Sequence, residues 1–186
     1  MTDPTQILKS IAQGNRQAFE ELYQLFKVKV YNTALSYVQN VEDAEEVTQD
    51  VFTTIYRKAN QFQGNSSVNT WIYRITVNSS LNFIKKRNRS VFSVFNSNTM
   101  DSPNFEHPGV QMENKESSAF LFKAIDSLPE SQKTAFILSF VEELPRQEVA
   151  DIMEISLKAT ESLLQRAKVN LRENVSSPKE IEITIV

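Results

Sequence analysis

An all-α fold, built as two small helical domains joined by a flexible linker, is what this sequence predicts. Three observations carry it. Only 3 glycines and 6 prolines occur in 186 residues, too few for a sheet protein with many tight turns. Apolar residues recur at spacings of three and four in both halves, the period of one helical face. Between the halves, residues 90–115 are rich in Ser and Asn, hold Pro103 and Pro108, and have no sustained period, which reads as a linker. The expected organisation is a domain over 1–89, the linker over 90–115, a second domain over 116–175 and a tail over 176–186.

In the first half, Phe19, Leu22, Tyr23, Phe26, Val30 and Ala34 trace one helical face. Asp43 is the expected N-cap of the next helix, with Glu45 and Glu46 complementing its dipole. There Val47, Val51 and Ile55 share a stripe, while Glu46, Gln49, Asp50 and Thr53 lie off it. Gly64 and Asn65-Ser66-Ser67 break the pattern, and a further helix is expected from about Asn69 to Lys86. In the linker, Phe92, Phe95 and Phe105 are unusual for a pure spacer and suggest docking; an undocked, flexible tether is the equal alternative.

In the second half, Leu121, Ile125 and Leu128 form a stripe that Pro129 interrupts. The run Arg146 to Leu157 has the logic of a helix-turn-helix: a short helix with small Ala150 for close approach, a turn near Glu154, then Ser156 as a cap. Leu157, Thr160, Leu164, Ala167 and Leu171 are expected to face inward, which turns Lys158, Ser162, Gln165, Arg166 and Val169 outward, where such a helix can enter a major groove. A plain helical hairpin with a solvated outer face remains open on these residues alone. The tail alternates Ile181, Ile183 and Ile185 with polar residues and is strand-like, with no sheet for it to join.

Composition narrows the function. There is no cysteine and one histidine, His107, so no disulfide framework or thiolate site exists, and no metal or cofactor is expected. No carboxylate pair, Ser-His pair or Gly-rich phosphate loop stands out, so an enzyme is not expected. The first residues do not read as a signal peptide and no window reaches the ~20 apolar residues of a membrane span; a cytoplasmic protein without membrane insertion is expected. Net charge is -3, against a nucleic-acid binder until its distribution is considered. Trp71 to Arg89 holds Arg74, Lys85, Lys86, Arg87 and Arg89 and no acid, a local charge of +5. Phe62, Trp71, Tyr73 and Phe83 lie beside it. Cations for phosphates and aromatic faces for unpaired bases suit single-stranded nucleic acid, although residues such as Trp71 and Phe83 are more often core than stacking platforms.

Four segments in order resemble the sigma factors of bacterial RNA polymerase, sigma-70 family, extracytoplasmic-function class. Asp43-Ala44-Glu45-Glu46-Val47-Thr48-Gln49-Asp50-Val51-Phe52 looks like the helix that grips the polymerase clamp. Asn69-Thr70-Trp71-Ile72-Tyr73-Arg74-Ile75-Thr76-Val77-Asn78, followed by Lys85-Lys86-Arg87, looks like the helix that opens and reads the −10 element. Leu128-Pro129-Glu130 resembles the start of the C-terminal domain, and Gln147-Glu148-Val149-Ala150 through Arg172 its helix-turn-helix. The resemblance spans about Gly14 to Glu173. It implies a sigma2-like helical bundle and a sigma4-like helix-turn-helix domain, with no catalysis in the subunit. It implies polymerase contacts at Asp43, Glu46, Gln49 and Asp50. The −10 element falls to Trp71, Arg74, Asn78, Lys85, Lys86, Arg87 and Arg89. The −35 element falls to Lys158, Glu161, Ser162, Gln165 and Arg166. Implied partners are core RNA polymerase, promoter DNA and, as for many relatives, an anti-sigma factor.

The chain departs from that pattern at Glu161 and Leu163, where basic residues are usual, and at Glu142-Glu143-Leu144-Pro145, which replaces a small-residue turn. Residues 116–173 hold seven Lys or Arg against ten Asp or Glu. Two other classes compete: a helical protein-binding adaptor, favoured by the acidic balance and opposed by the +5 helix, and a one-component helix-turn-helix regulator, which needs a ligand pocket or dimer interface.

Overall fold

The computed structural model describes residues 3–93 and 115–174. Eight α-helices run through them, and there is no strand among the described residues: α1 (Pro4–Ala12), α2 (Arg16–Val38), α3 (Val41–Lys58), α4 (Val68–Ser93), α5 (Lys115–Asp126), α6 (Glu130–Phe136), α7 (Arg146–Met153) and α8 (Leu157–Asn174). A 3₁₀ turn, Ala59–Gln61, follows α3, and a π-helical turn, Ile137–Val141, prolongs α6. The Ile-rich tail, Phe95 and Phe105 lie outside the described residues, as does any docking of the linker. Helix α4 runs to Ser93, past the Arg89 boundary expected for the first domain.

Helix starts follow local chemistry. Asp3 accepts from Thr5 N at 3.0 Å, with Pro4 in the first turn; Asn15 accepts from Ala18 N at 3.1 Å. For α3 the cap is Asn40, not Asp43: Asn40 Oδ1 accepts from Asp43 N at 2.9 Å. The chain is extended at Asn40 (φ -146°) and already helical by Val41, so Asp43 falls in the first turn, where its charge complements the dipole instead. Ser67 opens α4, its hydroxyl accepting from Thr70 N at 3.0 Å.

Helices α1 to α4 pack around Leu22, Phe26, Val30 and Ala34 of α2 and Val47, Val51 and Ile55 of α3, all buried. Tyr23 instead sits at the rim, 38% exposed, its ring 4.7 Å from Phe52. Three buried hydroxyls are satisfied within their own helix: Thr48 donates to Ala44 O at 2.7 Å, Thr76 to Ile72 O at 2.9 Å and Ser80 to Thr76 O at 2.8 Å. In the second half, α6 and α7 pack on α8 through Leu164, Ala167 and Leu171. Leu157, expected inward, is 39% exposed; it begins α8, before the helix reaches its neighbours.

The two halves meet. Helix α4 lies against α7 and the π-helical turn against α2, and buried apolar residues of both halves form one cluster. Among the described residues, three that are not glycine have left-handed backbone: Gln39 (φ 54°), Glu143 (φ 54°) and Glu154 (φ 57°). Gln39 and Glu154 each cap a helix, where glycine is the easier residue.

Candidate nucleic-acid interface

The helix-turn-helix is complete. Helix α7 ends at Glu154, whose N–H turns back onto Asp151 O at 3.3 Å, and Ser156 Oγ then accepts from Ala159 N at 3.2 Å to start α8. Ala150 is fully buried where the helices approach. On the far side of α8, Lys158, Glu161, Gln165 and Arg166 are exposed and Ser162 is half-buried. Ser162 donates to Lys158 O at 2.9 Å, and Arg166 Nε donates to Ser162 O at 3.2 Å, so this face is pre-ordered by bonds along the helix. Glu161 faces Arg146 of α7, Oε1 to Nη1 3.8 Å. Arg146 is brought near by the sharp turn, not by helical spacing.

The acids of α3 divide. Glu46, Gln49 and Asp50 are exposed on one face. Asp43 is tied up: its Oδ2 lies 2.7 Å from Arg87 Nη1. At the basic end of α4, Lys85, Lys86, Arg87 and Arg89 are all exposed, but Lys85 is bridged to Glu130 at 2.9 Å.

The front of α4 is not open. Arg74 donates from Nε and Nη2 to Asp151 O at 3.2 and 2.6 Å and meets Glu154 Oε1 at 3.2 Å. Asn69 accepts from Lys29 at 2.9 Å and donates to Glu148 Oε1 at 2.5 Å. Trp71 is half-buried, its ring 5.4 Å from Phe62, and Asn78 is exposed. A polar cleft of about 720 Å³ separates the loop before α4 from α7, with Asn65, Ser66, Arg74, Gln147 and Glu154 among its walls. Sequence reasoning does not foresee this arrangement, nor the bond of Asn69 to Glu148 or the pairing of Arg146 with Glu161.

Behind the cleft sits Glu142. Tyr73 donates to its Oε2 at 3.1 Å, while Oε1 is buried without a hydrogen-bond partner among the described residues. Burial raises the Glu142 pKa, against the opposing pull of the Thr33 and Tyr73 hydroxyls and the Lys29 charge. Burial also raises the Tyr73 pKa, and the Glu142 carboxylate adds to it. No group of three or more metal-ligating side chains occurs among the described residues, and no helix there is long and apolar enough to cross a membrane.

A helical bundle with a cationic helix end, followed by a helix-turn-helix with an open outer face, defines a two-domain DNA-binding protein. Two family models match it in order: Sigma-70 region 2 over residues 22–90 and Sigma-70, region 4 over residues 121–171. The chain belongs to the sigma-70 family of RNA polymerase sigma factors, in the extracytoplasmic-function class. It is similar to the ECF RNA polymerase sigma-E factor of Escherichia coli (strain K12), 29% identical over 171 residues that cover 87% of this chain and 88% of the relative. The fold is similar to that of CnrH in complex with the cytosolic domain of CnrY, TM-score 0.68 at 19% identity, covering 94% of this chain and 99% of the other. It is also similar to the sigma factor RpoE in complex with the anti-sigma factor NepR from Bartonella quintana, TM-score 0.62 at 21% identity, covering 86% and 98%.

Proposed function

We propose that the chain directs core RNA polymerase to its promoters through three surfaces. The exposed face of α3, with Glu46, Gln49 and Asp50 and with Asp43 at its margin, meets a basic surface of the polymerase clamp. Trp71, Arg74 and Asn78 of α4, with the loop before them, take the opened −10 strand, and Lys85, Lys86, Arg87 and Arg89 hold its phosphates. Lys158, Glu161, Ser162, Gln165 and Arg166 of α8 read the −35 element. The observation that carries the reading is the open outer face of α8 behind a complete helix-turn-helix.

The subunit needs no catalytic group of its own: it positions the polymerase and captures bases, which offsets the few kcal/mol per step that unstacking costs. Its place of action is the cytoplasm, with core polymerase and DNA, and an anti-sigma factor is the expected antagonist, since a fold neighbour is held by one. The test is transcription by core polymerase on a promoter library. Specific start sites that depend on the chain are expected; none above core alone overturns the reading.

A further inference from the structure

We infer that Leu157 is a base-reading residue of this chain, taking the 5-methyl group of a thymine in the −35 element. The inference rests on the assignment of α8 to that element. Leu157 opens α8 and is 39% exposed, while Thr160, Leu164, Ala167 and Leu171 are buried and carry the packing of the helix. Local capping does not need it either. Ser156 is the cap, its Oγ accepting from Ala159 N at 3.2 Å. An apolar staple across such a cap joins the residue before it to the fourth residue of the helix, here Ile155 and Thr160, and passes over Leu157.

The position suits a base edge. A recognition helix lies in the major groove with its N-terminal residues against the bases, and Ser156, Leu157 and Lys158 are all exposed there. The seam of polar ties between the halves, from Arg74 to Asp151 and Glu154 and from Asn69 to Glu148, leaves this turn uncovered. Glu161, assigned to the same element, follows four residues later, one turn along the same flank. A leucine side chain cannot hold a phosphate or bond to a donor or acceptor. The major groove offers it one apolar group, the C5-methyl of thymine; the other base edges there show only donors and acceptors.

Burying one methyl group against Leu157 corresponds to about a fourfold gain in affinity. The experiment selects −35 sequences with holoenzyme made from the full chain, from Leu157→Ala and from Leu157→Met, the −10 element being held fixed. Binding is then measured on the selected promoter with thymine, or with deoxyuridine, which lacks the methyl, at the position in question. Wild type and Leu157→Met, which keeps an apolar tip, should select the thymine and bind the deoxyuridine promoter about fourfold more weakly. Leu157→Ala should lose the thymine preference and bind both promoters alike. Leu157→Gln, of similar length but polar, takes its place if the alanine variant melts below the wild type. A wild type that selects no thymine in the −35 element, or that binds both promoters equally, overturns the inference alone. So does thymine discrimination that survives in the alanine or glutamine variant. A wild type with no −35 preference of any kind overturns the assignment of α8 as well.

Discussion

Arg87 and Asp43 form a 2.7 Å ion pair that ties the basic end of α4 to the first turn of α3. It joins a residue assigned to DNA with one assigned to polymerase. The pair is partly exposed, 44% and 26% at the side chains, so it contributes at most about 1 kcal/mol. Asp43→Asn should release Arg87 and tighten general DNA binding by less than about fivefold, while polymerase binding changes little. Titration with labelled duplex, beside a core pull-down, checks both halves.

Polymerase binding should depend instead on the unpaired face. Charge reversal at Glu46 and Asp50 together should weaken holoenzyme formation without unfolding the chain, since both are exposed and off the buried Val47, Val51, Ile55 stripe. Normal binding of core by a folded double variant would remove α3 from the interface.

Neutralising Lys85, Lys86, Arg87 and Arg89 should weaken binding to all promoters alike and flatten its salt dependence. Every single-strand phosphate that is no longer neutralised lowers the slope by about 0.7. Lys85 and Arg87 already pair with Glu130 and Asp43, so trading those partners for phosphates makes their net contribution to affinity smaller than that of Lys86 and Arg89. A slope that stays at the wild-type value would exclude the group as phosphate ligands.

Glu161 should set −35 preference at the expense of general affinity. Its carboxylate repels phosphate but can accept from the amino group of cytosine. Glu161→Arg should raise binding to many sequences and change the preferred bases; Glu161→Gln should relax discrimination by about 1–3 kcal/mol at one base pair. Promoter selection with all three proteins decides. Identical preferences would leave Glu161 as the partner of Arg146 alone, a role its 3.8 Å separation already permits.

Closure of the two halves should strengthen on acidification. Burial raises the Glu142 pKa above its ordinary value of 4.5, so the docked chain holds that proton more tightly than the undocked one. The contribution is fully present below the ordinary value and is lost as pH rises through the raised one. Lys29, Tyr73 and the Glu148 carboxylate near Tyr73 surround the group. Scattering across this range should show compaction as pH falls. Glu142→Gln, neutral throughout and able to accept from Tyr73, should remove that dependence; a wild-type profile in this variant would assign it elsewhere.

What can be read from the sequence is local. The stripes of α3 and α8, the turn at Glu154 and the Ser156 cap depend on residues within a few positions of one another, and spacing reports them. Asp43 is mistaken for a cap because Asn40, equally competent, stands three residues earlier, and spacing does not rank two such caps. Leu157 matches the period but precedes the packed part of its helix. The seam is illegible for a different reason. Arg74 to Asp151 and Asn69 to Glu148 join polar residues 77 and 79 positions apart, and polar side chains carry no periodic mark of burial. The excess of acids in the second half is visible, but not that several of them face α4.

The left-handed residues Gln39 and Glu154 give the seam a further property. Each sits where glycine would relieve the backbone of roughly 1 kcal/mol or more, yet each sends its side chain across the boundary, to Phe122 O and to Arg74. Glu143, the third, adjoins Glu142, whose Oε1 is buried. Local preference and long-range contact are thus set against each other, a form of frustration confined to the joint. Glycine at 39 or 154 should make each half easier to fold and the joint easier to part. The opening equilibrium can therefore be tuned at positions that touch neither the outer face of α8 nor the exposed acids of α3.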